Sequence, residues 1–271
     1  MDENSIFVNS KNVFLDTVNP KDYVQLDRVS TIYQSLQASI QRALKMILLY
    51  GKPGTGKSMF LTKLYDDLCE TRPIFLYQTP ILDESEFYRT LAKDVCDVTI
   101  DEELNFTQFM KILEDKNFEE VPVVLLDEAQ LYSDALMEKI RLLSDTRKIK
   151  FVIALHKTEK EDLIAKEHFQ TRIWESIELE NSSKAELKIY IQKKLMKANC
   201  FDTASMFNSK IVNKIHKLTQ GNYRETNKLL YTLFALYETY EKNQQLHKVT
   251  VNQISPKLIE MAAIHTGLID A

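Results

Sequence analysis

The run Tyr50-Gly51-Lys52-Pro53-Gly54-Thr55-Gly56-Lys57-Ser58 decides how this chain folds. It holds three of the five glycines found in 271 residues. A chain so poor in glycine places it where the backbone needs positive φ or must approach a ligand closely. The run satisfies the phosphate-loop pattern G-x-x-x-x-G-K-[ST]. Before it, Met46-Ile47-Leu48-Leu49-Tyr50 reads as a buried strand; after it, Met59-Phe60-Leu61-Thr62-Lys63-Leu64 reads as a helix. Strand, glycine loop and helix N-terminus in that order predict a bound nucleoside triphosphate.

The chemistry follows from the residue types. Loop N–H groups turn inward onto phosphate oxygens, and the next helix adds free N–H donors and the positive end of its dipole. The candidate nucleotide-binding residues are Gly51, Lys52, Pro53, Gly54, Thr55, Gly56, Lys57, Ser58 and Met59. Lys57 is expected to reach the β- and γ-phosphates and the Ser58 hydroxyl to ligate Mg²⁺. A second signal agrees with the first. Val123-Val124-Leu125-Leu126-Asp127-Glu128 is an apolar run ending in two acids, a buried strand with carboxylates at its C-terminal edge. Ligands of open α/β sheets bind at that edge. Asp127 is expected to hold Mg²⁺ through water, and Glu128 to polarise the attacking water. The adjacent glutamate favours hydrolysis over binding alone.

Composition narrows the class. The apolar and charged fractions, 44% and 27%, are those of a soluble globular protein. No apolar run approaches the ~20 residues of a membrane span, and Met1-Asp2-Glu3-Asn4-Ser5 is acidic and polar, unlike a signal peptide. Cys69, Cys96 and Cys200 are scattered, which speaks for a reducing compartment and against a disulfide frame or zinc site. The expected location is the cytoplasm, with access to the inner membrane through a partner. A net charge of −4 lends nucleic-acid binding no support. The densest basic group is Lys184, Lys188, Lys193, Lys194 and Lys197. It alternates with Leu187, Ile191 and Leu195 at helical spacing and reads as a solvated helix face, with a nucleic-acid patch as the alternative.

Strands alternate with helices through the first two thirds of the chain. Apolar runs at Lys45–Tyr50, Ile74–Tyr77, Val123–Leu126, Lys150–Leu155 and Ser176–Leu179 predict a five-stranded parallel sheet flanked by helices. Helices are expected near Ile32–Leu44, after the loop to about Glu70, from Asp83 through Val95, at Phe106–Phe118 and at Leu131–Leu143. Beyond Asn181 the pattern turns helical: Ser183-x-x-Glu186 opens one helix, and Ile211–Leu218 and Glu225–Tyr240 follow. Residues 1–180 are therefore read as a nucleotide-binding core and 181–271 as a helical lid subdomain with a tail. The tail holds a β-like run, Lys248-Val249-Thr250-Val251, and a helix near Pro256–Ala263.

An α/β phosphate-loop core followed by a helical bundle suggests an AAA+ ATPase, and this predicts further functional positions. His156, after the fourth strand, is placed to sense the γ-phosphate or hold the lytic water. Arg224, in Gly221-Asn222-Tyr223-Arg224-Glu225, falls in the first turn of a lid helix that Gly221 and Asn222 introduce, where it would face the nucleotide. Arg172, just before the fifth strand, is the candidate arginine finger for a neighbouring subunit's site. Trp174 is read as a packing residue.

These features together resemble the AAA+ ATPases typified by ExeA, the general secretion pathway protein A. The resemblance covers roughly residues 5 to 245 and rests on Gly51–Ser58, Leu125-Leu126-Asp127-Glu128-Ala129-Gln130, Gln170-Thr171-Arg172-Ile173 and Gly221-Asn222-Tyr223-Arg224. The Asp-Glu-Ala-Gln tetrad also occurs in transposition ATPases similar to TniB and MuB. The family pattern has Gly-Gln where this chain has Leu155-His156, and proline where it has Tyr223. The resemblance implies ATP as the nucleotide, Mg²⁺, nucleotide-dependent self-association, and a protein partner in a secretion, pilus or DNA-uptake apparatus. The rival expectations are a DNA-associated transposition or initiator ATPase and a nucleotide-dependent scaffold with little turnover.

Overall fold

The structure, a computed structural model, describes residues 6–42, 44–158, 173–243 and 253–270. The chain forms two compact units. One comprises Arg28–Pro53 and Lys57–Leu179; the other comprises Met1–Asp27, Gly54–Gly56 and Glu180–Ala271.

The α/β unit is built on five parallel strands: β1 (Met46–Gly51), β2 (Ile74–Tyr77), β3 (Val123–Leu126), β4 (Lys150–His156) and β5 (Ile173–Leu179). Their order is β2-β3-β4-β1-β5. Strands β1 and β3 are buried at every position, as expected where helices cover both faces of a parallel sheet. The helices of this unit are α2 (Asp27–Gln41), α3 (Lys57–Leu68), α4 (Glu84–Cys96), α5 (Phe106–Glu114) and α6 (Asp134–Asp145). Asp83 caps α4 by accepting from the Glu86 amide at 2.7 Å, and Ser133 caps α6 by accepting from the Leu136 amide at 3.1 Å. One face of the sheet packs Leu48, Val124, Phe151 and Ile153 against Phe87, Leu91, Phe109 and Ile140. Helix α5 ends at Glu114, short of the Phe118 expected. β5 starts three residues before the Ser176 expected.

The helical unit contains α7 (Lys184–Lys197), α8 (Phe201–Ser205), α9 (Ser209–Thr219), α10 (Tyr223–Lys242) and α11 (Pro256–His265). Ser183 and Glu186 close a reciprocal capping box at the start of α7. Gly267, with φ +72°, ends α11 in a Schellman turn: its N–H donates to Ile264 O at 3.0 Å and that of Leu268 to Ala263 O at 2.9 Å. The β-like run at 248–251 lies outside the described residues.

A further helix of this unit comes from the other end of the sequence. In α1 (Ile6–Asn12), Phe7 stacks on Tyr237 of α10 with ring centroids 4.6 Å apart. Phe7 and Phe14 are both 1% exposed, and Lys11 pairs with Glu238 at 2.5 Å. The division at residue 180 read from the sequence groups this segment with the strands; Phe7 and Phe14 instead join the core of the C-terminal helices.

Two further expectations are corrected. Trp174 is not a packing residue: it is 63% exposed on β5, an edge strand of the sheet. The lysines of α7 are not simply a solvated face. Lys193 and Lys197 donate to the main-chain oxygens of Gln25 (2.8 Å) and Tyr23 (2.5 Å), fastening the segment that follows α1. Lys194 is 8% exposed and lies 5.5 Å from the centre of the Phe14 ring. Burial pushes its ammonium pKa down.

Candidate nucleotide-binding and hydrolysis site

Parallel pairing brings three strand ends to one edge. Gly51, the last residue of β1, is in register with His156, the last residue of β4. Leu126, the last residue of β3, is in register with Ile153. β4 therefore runs three residues past the end of β3, and Asp127 and Glu128 turn off the sheet beside that overhang.

The glycine run leaves β1 at Gly51 and enters α3 at Lys57. Gly56 has φ +94°, and a Cβ there would meet no atom within 4 Å, so the residue faces open space on a backbone only glycine adopts readily. Lys57 is 5% exposed, and its ammonium donates to the main-chain oxygens of Gly51 (3.0 Å) and Lys52 (3.2 Å). Ser58 and Met59 continue the first turn of α3. A glycine loop running into a helix N-terminus, with a buried ammonium folded back on the carbonyl groups of Gly51 and Lys52, fits a polyphosphate.

Asp127 is 4% exposed, and its carboxylate accepts from the Glu128 amide at 2.9 Å. Its pKa is raised by burial, against the pull of the Ser58 hydroxyl, the Glu128 amide and the Lys57 charge. A hydroxyl and a carboxylate in contact form a hard oxygen donor set suited to Mg²⁺. Among the described residues no cluster of three histidine, cysteine or acidic side chains offers another metal site.

Glu128 adopts φ +48°, left-handed for a residue with a side chain. Gln130, in the 3-10 turn Ala129–Leu131, donates through Nε2 to Glu128 Oε2, and His156 Nε2 stands 3.5 Å from the same oxygen. In the sequence Gln130 stands out only as the last residue of the Asp-Glu-Ala-Gln tetrad. Its two-residue spacing from Glu128 becomes informative once a tight turn is known to follow the strand.

Within the helical unit, Asn222 caps α10 by accepting from the Glu225 amide at 3.2 Å. Arg224 lies in the first turn of α10, its Nε 3.6 Å from Asp16 Oδ2. The loop tip Gly54–Gly56 groups with this unit, and Gly54 O accepts from the Tyr223 amide at 3.2 Å. Gly221, with φ +74°, packs flat on Ser182, whose amide and hydroxyl both donate to Gly221 O, at 3.0 and 2.8 Å. Arg172 lies outside the described residues.

Residues 41–164, from the end of α2 past β4, match the family model described as AAA domain. No curated protein matches the chain. Among solved structures it is similar to Cdc6p from Pyrobaculum aerophilum, at 15% identity and a TM-score of 0.65, over 94% of this chain and 71% of that one. It is also similar to the Orc1 protein of Aeropyrum pernix in complex with DNA, at 13% identity and a TM-score of 0.62, over 94% and 69%. Domain III of the replication initiation protein DnaA from Thermotoga maritima matches at 15% identity and a TM-score of 0.52, over 94% and 98%. The fold is the α/β AAA+ fold, with its 2-3-4-1-5 parallel sheet and a C-terminal helical region. No helix among the described residues is long and apolar enough to cross a membrane.

Proposed function

We propose that this protein is a Mg²⁺-dependent ATPase that binds ATP at the Gly51–Met59 loop and hydrolyses it with water held by Glu128. One observation carries the reading. The α/β unit keeps two opposite charges, Lys57 and Asp127, almost wholly buried at the edge where its strands end and α3 begins. Burying charge is costly, and a fold retains such a pair where a charged ligand completes it.

Lys57 would neutralise the β- and γ-phosphates, and Ser58 and Asp127 would hold Mg²⁺, which supplies charge neutralisation on the phosphate oxygens when bound. Glu128 would accept a proton from the attacking water, its carboxylate oriented by Gln130 and His156. Arg224 would contact the nucleotide phosphates, and Arg172 would serve a neighbouring subunit's site in a nucleotide-dependent oligomer.

Two readings of the biological task remain distinct. The motif resemblance to ExeA supports a partner in a secretion, pilus or DNA-uptake machine. The similarity to initiator structures, one of them solved on DNA, supports a DNA-associated ATPase. The lysines of α7 do not strengthen the second, since Lys193, Lys194 and Lys197 are engaged within their own unit. Phosphate release by purified protein, with and without DNA, tests both levels. Mg²⁺-dependent turnover is expected; its absence would leave a nucleotide-bound scaffold. Stimulation by DNA that fades steeply with salt would select the DNA-associated reading.

A further inference from the structure

At the opposite edge of the sheet, where β1, β3 and β4 begin, the α/β unit holds a cavity of about 400 Å³. It is walled by the end of α2, the approach to β2, the turn before β3 and the turn between α6 and β4. Five cationic side chains line it against two carboxylates, in a chain whose net charge is −4. The excess of positive charge is therefore local and contrary to the whole.

Three of the cations are engaged. Lys45 pairs with Asp145 at 2.7 Å, and Arg72 pairs through Nη2 with Glu120 at 2.8 Å. Lys150, 5% exposed, donates to the main-chain oxygens of Ile40 and Arg42. Even so, the Arg72 side chain is 9% exposed and its Nε meets no acceptor among the described residues. Burial also pushes the Lys150 ammonium down to about 8, a sign of how little counter-charge the site supplies. The other two cations, Arg42 and Arg147, are exposed at the rim, and neither side chain has an ion pair among the described residues. Arg147 is held at φ +60°, a strained backbone for a residue with a side chain.

The volume falls in the range of small-molecule sites, about 300–1,000 Å³. Guanidinium forks match the oxygens of a phosphate. Apart from Gln41, the remaining wall is apolar, with Leu44, Val121 and Ile149, and suits a ring. We propose that this cavity is a second ligand site, for a small phosphorylated molecule of nucleotide size, gripped by Arg42 and Arg147 and separate from the phosphate loop.

The test uses the full chain carrying Lys57→Ala, which removes the loop lysine, and pyrophosphate as the probe in calorimetry at low salt. One saturable event is expected. Adding Arg42→Ser and Arg147→Ser, both at exposed positions, is expected to weaken it about tenfold or more with circular dichroism unchanged. As a second background, the wild-type loop is saturated with a non-hydrolysable ATP analogue, and the same event is expected. No binding in either background, or binding indifferent to the two arginines, would overturn the site. Adenosine monophosphate is expected to bind more tightly than inorganic phosphate, because its ring covers the apolar wall. The reverse order would overturn the size of the ligand.

Discussion

His156 Nε2 stands 3.5 Å from Glu128 Oε2, and strand register is what brings them together. β4 overhangs β3 by three residues, so its last side chain reaches the acid that has turned off the end of β3. The left-handed backbone of Glu128 points its carboxylate toward this partner and toward Gln130. Holding a non-glycine residue there costs roughly 1–2 kcal/mol, a strain that suits a carboxylate whose position matters more than its local comfort.

Glu128→Gln keeps the shape and the two partners but removes the base. Nucleotide affinity is expected to stay within about threefold, while phosphate release falls roughly 100-fold or more. Fluorescent-nucleotide titration and a turnover assay on the same preparation check both halves. Unchanged turnover would take Glu128 out of the mechanism.

Gln130→Ala separates holding the carboxylate from being the carboxylate. With Glu128 intact but less constrained, kcat is expected to fall by about tenfold and nucleotide affinity to stay put. A loss of affinity equal to the loss of rate would show that Gln130 serves binding instead.

The two glycines outside the loop allow an internal comparison. A Cβ on Gly221 would overlap the Ser182 carbonyl, whereas one on Gly267 would meet nothing, although both residues hold φ above +70°. Gly267→Ala is expected to cost about 1–2 kcal/mol, the conformational term alone. Gly221→Ala adds a backbone clash and is expected to cost more by about 1–3 kcal/mol. Urea unfolding of the two variants measures the difference, and equal costs would refute the close approach.

Phe7→Ala is expected to destabilise the helical unit by about 3–5 kcal/mol, because a fully buried ring stacked on Tyr237 leaves a cavity that helices cannot easily fill. Hydrogen exchange should show the loss in α10 and α11, with β1 and β4 little affected.

Lys150 makes a prediction about pH. Its folded pKa is about 8 and its ordinary value 10.5, so between these limits the unfolded chain binds more protons. Stability is then expected to rise with pH across that window, by at most about 3 kcal/mol, and the cost of burying the charge is borne in full below pH 8. Lys150→Met should flatten this rise relative to wild type in denaturant titrations at pH 7.5, 9 and 10.5. A parallel profile would show that the ammonium is not desolvated.

How much of this was legible from the chain depended on how local the signal was. Strands β1, β3 and β4 were readable because burial on both faces demands unbroken apolar runs, and the loop was readable because glycine is rationed. β5 was cut short because Trp174 and Glu175 break the apolar pattern on an edge strand, where the register with β1 also shifts between Met46 and Ile47. The pairing of Glu128 with His156 has no sequence signal, since only strand register makes the two residues neighbours. Helix α1 spans seven residues, too few for a clear period, and its partners lie near the far end of the sequence. The lysines of α7 carried no hint of their acceptors, which are main-chain oxygens without sequence identity.

The pairing of Lys11 with Glu238, 227 positions apart, has a consequence for how the protein is made. At about 5–20 residues per second, a ribosome needs roughly 10–45 s to supply the partner after the first has emerged. The strands, finished at Leu179, can assemble during that wait, while Phe7 and Phe14 stay wet and uncovered. Synthesis order and folding order thus run opposite for this segment: it is made before the strands and seated after them, and until then its aromatic side chains are the natural target for a chaperone.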